Sequence, residues 1–264
     1  MSAQTMTRRP RWLTVVGVLG VIAMGFTVWL GLWVTPPDQF QGNLARLLYI
    51  HPAIATVALY WVGLVAAGGS LLYLWPRTRS LFWDRLAAAA VEVGAVFAAL
   101  TLVTGAIWGR PVWGVWWTWD ARLTSTALLL LLEIGYLALR RVPAEPAIRA
   151  RRCAVAALLI AIDIPIVHFS VDWWNTLHQG GTFIDPGFQI HASASMSWTF
   201  LLGFIAFSLI FVWLLGVRYQ VEVLQDAVGD QELEVSLSER WSEDTDLVGA
   251  GTGAPSPSAG GGAP

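Results

Sequence analysis

In the stretch Trp113-Gly-Val-Trp116-Trp117-Thr-Trp119-Asp120-Ala-Arg122-Leu-Thr124, four indoles fall within seven positions, and a carboxylate and a guanidinium follow at once. Indoles offer flat apolar surface for stacking, and guanidinium grips carboxylates through two parallel hydrogen bonds. The sequence also holds four histidines, His51, His168, His178 and His191, and neutral imidazole is a ready metal ligand. Stacking surface, cations and imidazoles in one region describe a site for haem, with carboxylates for arginine and iron for histidine. If the stretch is helical, Trp113, Trp116, Trp117 and Asp120 share one stripe by three- and four-residue spacing, with Trp119 to one side. Gly109, Pro111 and Gly114 interrupt the approach, which predicts a short interfacial helix after a turn. The plain alternative is anchoring of the indoles at a membrane interface.

The elements that must position these residues are membrane helices. At 56% apolar and only 13% charged, with a mean hydropathy of +0.58, the chain lies far from soluble globular proteins. Six apolar runs, near 12–34, 52–75, 86–108, 123–139, 153–171 and 192–217, are long enough to cross a hydrocarbon core of about 30 Å as helices. The first is too long for a secretory signal and lacks a small-residue cleavage site, so it is read as retained. The basic residues are all arginine, and their distribution gives orientation. Thirteen of sixteen lie in the N-terminus, the loops at 76–85 and 140–152, and the tail; only Arg46, Arg110 and Arg122 lie in the other connections. The expected fold is therefore an all-α integral membrane protein of six transmembrane helices with both termini cytoplasmic. The Trp-rich segment at 108–122 then lies on the outer face.

On this topology every histidine falls in an outer connection or near the outer boundary. Tryptophan is lopsided too: Trp33, Trp108, Trp113, Trp116, Trp117, Trp119, Trp173 and Trp174 lie outward, against Trp12, Trp75, Trp83 and Trp241 inward. An interfacial belt populates both sides about equally, so the outer excess has another cause. His51 and His178 flank the tryptophan segment in sequence and are the pair best placed to approach it from two sides. His168 is expected to line the pocket or serve as a transient ligand, and His191 to be a polar anchor. Arg46, Arg110 and Arg122 are candidates for the carboxylates, with headgroup anchoring as the alternative for the first two. Asp120 is open between orienting an imidazole, pairing with Arg122 and forming part of a docking surface.

The segment 113–124 resembles the WWD signature of the haem-handling proteins of cytochrome c maturation. Its Asp-Ala-Arg-Leu-Thr ending is similar to the haem exporter protein C (CcmC) branch, whereas the synthetase branch usually continues Asp-Pro-Lys-Glu. Val171-Asp-Trp173-Trp174-Asn-Thr-Leu-His178-Gln-Gly180 resembles a second motif of the same family. The likeness covers roughly residues 12–217. It implies exchangeable, non-covalent haem b held on the outer face of a bacterial cytoplasmic membrane, facing the periplasm or cell exterior. It places the axial histidines at His51 and His178, and the aromatic platform at Trp113, Trp116, Trp117, Trp119 and Asp120. It also implies delivery to a membrane-anchored haem chaperone (CcmE), with an ABC transporter ATPase and permease and a small membrane subunit (CcmD) as further partners. Family members commonly show His-Val-Pro where this chain has His51-Pro52.

The remaining features fit a carrier and not an enzyme, and no nucleic acid is expected among its partners. Without a Cys-x-x-Cys-His motif the chain cannot attach haem covalently, and its single Cys153 reads as a small buried residue. Glu92 and Glu133 are expected in interhelical or partner-subunit contacts, because charges in hydrocarbon are costly. Asp163-Ile-Pro165 predicts a kink in which the aspartate satisfies freed backbone groups. Residues 218–264, acidic and then rich in Gly, Ala, Pro and Ser, predict a disordered cytoplasmic tail. Two other classes stay open: a redox protein of cytochrome b type, which wants histidines paired within the membrane, and a permease, which wants midplane polar residues.

Overall fold

The computed structural model describes residues 10–178 and 193–251, with only the main chain at 230 and 242–251. Among the described residues seven helices follow in order: α1 (Arg11–Trp29), α2 (His51–Thr56), α3 (Val62–Leu74), α4 (Leu81–Trp113), α5 (Ala121–Arg141), α6 (Pro146–Trp173) and α7 (Ala194–Gly251). A π-helical turn, Leu30–Val34, prolongs α1, and another, Val57–Trp61, joins α2 to α3. A 3-10 segment, Asn43–Tyr49, leads into α2. Together these make six helical stretches long and apolar enough to cross a membrane, the second of them the composite Asn43–Leu74. The chain forms two compact units, residues 1–222 and 223–264. The first is the helix bundle, and the described part of the second is the remainder of α7.

Local chemistry sets the helix ends that matter for the site. Ser80 caps α4 by accepting from the Phe82 amide at 3.2 Å. The helix stops at Gly114, whose φ of +79° lies in the left-handed region that glycine enters without steric cost. Asp120 caps α5, and Pro52 and Pro146 sit in the first turns of α2 and α6, where no main-chain donor is needed.

Helices α3, α4, α5 and α6 pack on one another. Their core contains Val91, Leu129, Tyr136 and Ile160, and a second cluster joins Val57, Val62 and Phe97 to Phe207 and Phe211 of α7. Close approach depends on small residues, as it does between helices in lipid. A Cβ at Gly17 would lie 2.8 Å from the Trp213 ring, and one at Gly203 only 2.3 Å from the Tyr49 carbonyl oxygen. Large apolar side chains such as Leu19, Ile22, Leu131, Ile134, Leu159 and Ile162 stay exposed. Such surface suits a hydrocarbon solvent.

At the end of the bundle away from His51, charge is buried as an ion cluster. Arg140 donates to both oxygens of Asp84 at 3.0 and 3.1 Å and to Glu222 at 2.8 Å, linking α5 to α4 and α7. Arg218 pairs with Glu92, so the expected interhelical contact of Glu92 is present. Cys153 is buried and free, as expected.

Two expectations are corrected. Helix α4 continues through Gly109 and Pro111 to Trp113, and residues 114–120 are not helical. Proline in a last turn forfeits only one main-chain bond, whereas Gly114 ends the helix before Trp116, Trp117 and Asp120 can join Trp113 on a stripe. Asp163 satisfies no backbone group: its oxygens, like those of Glu133, are buried without a hydrogen bond among the described residues. Helix α6 passes through Pro165 without recruiting it. Helix α7 is continuous to Gly251, and Val221, Leu224 and Val228 recur along it at helical spacing.

Candidate functional site

The end of α4, the starts of α2 and α5, and the last turns of α6 meet around a cavity of about 510 Å3, a size typical of cofactor clefts. His51, Trp113, Arg122, His168 and His178 all line it, together with Tyr60.

His51 opens α2. Its Nδ1 lies 2.8 Å from the Thr104 hydroxyl, which itself donates to the Leu100 carbonyl at 2.7 Å. With its one proton committed, the hydroxyl accepts from Nδ1–H, so the lone pair of His51 is on Nε2. The edge of Trp108 packs against the ring at 5.8 Å, and the Trp108 indole donates to Gln41 at 2.8 Å. Gly105 gives the ring room: a Cβ there would lie 3.2 Å from Cε1.

His178 is held by Asp120. The carboxylate caps α5 through the Arg122 amide at 2.9 Å, accepts from the Leu177 amide at 2.8 Å, and faces His178 Nδ1 at 3.3 Å. The imidazole again keeps Nε2 for the cavity, and Trp113 packs on it with ring centres 4.9 Å apart. Burial holds His178 below the ordinary histidine value of 6.5, against the opposing pull of Asp120. The imidazole is therefore neutral at neutral pH. Asp120 is itself only 7% exposed. Its contact with Arg122 is to the main chain.

Arg122 reaches along α6, donating from Nη2 to the His168 carbonyl at 2.8 Å and from Nε to Ser170 Oγ at 3.4 Å. His168 Nδ1 meets the Tyr60 hydroxyl at 2.5 Å.

The other candidates lie off the cavity lining. Arg46 donates to the carbonyls of Gly31 and Leu32 at the end of the first span and to Asn43, so its guanidinium caps a helix. Arg110 lies 6.0 Å over the Trp116 ring. Trp116 and Trp119 are 61% and 83% exposed, and Trp117 meets Trp119 edge to face. Of the expected indole platform, Trp113 alone lines the cavity. His191 lies outside the described residues. Sequence reading missed Thr104 and Tyr60, which sit in apolar spans, and Gln41, in the connection between the first two spans; none belongs to a local motif. It had a signal for the Asp120 cap in an aspartate placed just before an apolar helical run.

Fold and cavity together define a multi-pass membrane protein whose helix ends enclose a chamber lined by three imidazoles and a guanidinium. The family described as Heme exporter protein C matches residues 2–234, and the chain belongs to that family. It is 36% identical over 212 residues to Heme exporter protein C of Haemophilus influenzae, covering 79% of this chain and 83% of that protein. The protein of the same name from Bradyrhizobium diazoefficiens is 38% identical over 226 residues, covering 82% and 80%. A putative cytochrome c biosynthesis ccmC-like mitochondrial protein of Arabidopsis thaliana is 40% identical over 169 residues, 63% of this chain and 61% of that one.

Proposed function

We propose that this chain holds haem b non-covalently in the cavity, with His51 and His178 as iron ligands, and releases it to a haem chaperone (CcmE) during cytochrome c maturation. One observation carries the reading. Two histidines from distant parts of the sequence line a single cavity, and each has its Nδ1 engaged so that Nε2 is left as the donor atom. Membership of the family, and relatives named for haem export and cytochrome c biosynthesis, support the same cargo. Arg122 supplies a cation for the haem carboxylates, and Trp113 supplies the stacking surface. Trp116, Trp117 and Trp119, exposed beside the cavity residue Trp113, are left for contact with lipid or with the chaperone. Arg46 and Arg110 have structural partners and stand outside the ligand set.

A carrier needs release, and ligation by two imidazoles without a covalent thioether permits it. The positive-inside pattern puts the cavity on the outer face of the bacterial cytoplasmic membrane and both termini in the cytoplasm. The ABC transporter ATPase and permease and the small membrane subunit (CcmD) are the expected partners, and the chain itself performs no catalysis.

The test is spectroscopic. Protein purified in detergent should carry substoichiometric haem with the spectrum of two imidazole ligands, and His51→Ala with His178→Ala should abolish it. On mixing with apo-chaperone, haem should move to the chaperone. Haem that stays bound and turns over quinone would instead mark an electron-transfer protein.

A further inference from the structure

The geometry points to Tyr60 and His168 as the part of the cavity that, with Arg122, takes a carboxylate of the ligand and so sets how the ligand is turned within its own plane. This inference rests on the haem-holding reading. The three imidazoles of the cavity are backed differently. Behind His51 and His178 stand acceptors, the Thr104 hydroxyl with its proton spent on Leu100 and the Asp120 carboxylate. An acceptor at Nδ1 fixes the proton there and frees Nε2 for a metal. Behind His168 stands a phenol, 2.5 Å from Nδ1, with ring centres 5.8 Å apart. A phenol donates as well as accepts, and when Tyr60 donates to Nδ1 the proton of His168 is on Nε2. In that tautomer the third imidazole offers an N–H donor, which serves an anion and repels a metal.

The neighbourhood selects that tautomer when an anion is present. Arg122 lies along the same stretch of α6, bonded to the carbonyl of His168 itself and to Ser170. Those contacts use Nη2 and Nε, and Nη1 makes no hydrogen bond among the described residues. Asp172 also lines the cavity, but no ion pair joins it to Arg122 among those residues. The guanidinium therefore retains both charge and unspent donors beside the His168 imidazole. A carboxylate arriving there accepts from Arg122 and from His168 Nε2–H, with Tyr60 holding the imidazole in register. The placement of Tyr60 depends on an irregular helix: it sits in the π turn Val57–Trp61, the kind of insertion that recurs at functional sites. Tyr60 lines the cavity and is still 41% exposed.

The experiment compares iron protoporphyrin IX with its dimethyl ester, titrated by absorbance into the full chain in detergent. Wild type should prefer the free acid. Tyr60→Phe and His168→Gln should each reduce that preference by roughly tenfold, the scale of one charge-assisted hydrogen bond. The two-imidazole spectrum should be retained, and affinity for the diester should change little. An unchanged acid-to-ester ratio in both variants, or equal loss for both ligands, overturns the subsite. If His168→Gln fails to fold, Tyr60→Phe decides alone, because it removes one oxygen. Failure of wild type to bind either porphyrin, or binding indifferent to His51→Ala, sinks the haem reading itself and is distinct from loss of selectivity.

Discussion

Asp120 shows how one side chain serves helix and site at once. Its oxygens take the Arg122 and Leu177 amides and the His178 imidazole, so the start of α5 and the aim of a ligand are set together. The two roles separate by substitution. Asparagine caps a helix as well as aspartate does, but cannot accept from every donor gathered here. Asp120→Asn keeps an acceptor for the cap but strands a buried donor, so it should cost about 1–3 kcal/mol of stability and weaken haem binding by roughly 10–100-fold, the usual cost of losing a partner behind a ligating histidine. Asp120→Ala should add about 1 kcal/mol of destabilisation from the lost cap. Equal haem titration curves for wild type and Asp120→Asn would refute the role in orientation. The pH response follows from burial. Because the His178 value lies below 6.5 in the folded protein, its stabilising contribution is complete above pH 6.5 and is lost as pH falls through the depressed folded value. Haem retention followed by absorbance should be flat from pH 8 to 6.5 and decline only at lower pH. A decline beginning above pH 7 contradicts this.

At the scale of elements, the irregular turns and close glycine contacts deliver the imidazoles. The 3-10 segment ends at Tyr49, two residues before His51, and the Tyr49 carbonyl lies where a Cβ at Gly203 would be, at 2.3 Å. A main-chain atom cannot swing aside as a flexible side chain can. Gly203→Ala should therefore cost about 1–3 kcal/mol and shift the start of α2, seen as a lower unfolding temperature with altered haem absorbance. Gly25→Ala is the control, because its Cβ meets nothing within 4 Å. Helix propensity alone favours alanine at both positions, so comparable losses in both would show that the Tyr49 contact is not the cause. The tryptophan segment teaches a related lesson. Its spacing suits a helix, but Gly114 in the left-handed region ends α4 first, so Trp113 turns inward while Trp116 and Trp119 are left exposed.

For the molecule as a whole, the two ends of the bundle do different work. One end gathers imidazoles at helix termini; the other buries Arg140 between Asp84 and Glu222 and binds α4, α5 and α7 together. Removing one member of a buried ionic cluster strands the others, so Arg140→Ala should destabilise the folded protein by about 3–5 kcal/mol. Thermal unfolding in detergent measures it, and a loss below 1 kcal/mol would mean that water already reaches the cluster. Orientation is testable at the same scale. A cysteine replacing exposed Trp119 should be labelled from outside intact cells, since Cys153 is buried and silent. Labelling only after the membrane is opened would invert the proposed topology.

Composition and hydrophobic run length determined the class of this protein and its six spans, because a bilayer admits only helices or closed barrels whose backbone groups are satisfied internally. Residue types determined the candidate ligands: His51, His178, Trp113 and Arg122 stand out because imidazole can ligate a metal, indole can stack and guanidinium can grip a carboxylate. Tertiary structure decided which of them meet. Arg46 and Arg122 are alike in sequence, yet one spends its donors on the end of a helix and the other lines the cavity. Thr104 and Tyr60 carry no signal of their own, because a hydroxyl in an apolar span becomes the partner of a histidine only when another helix brings that histidine within 3 Å. Such pairings depend on helix rotation and close packing, quantities that a linear pattern of residues does not encode locally.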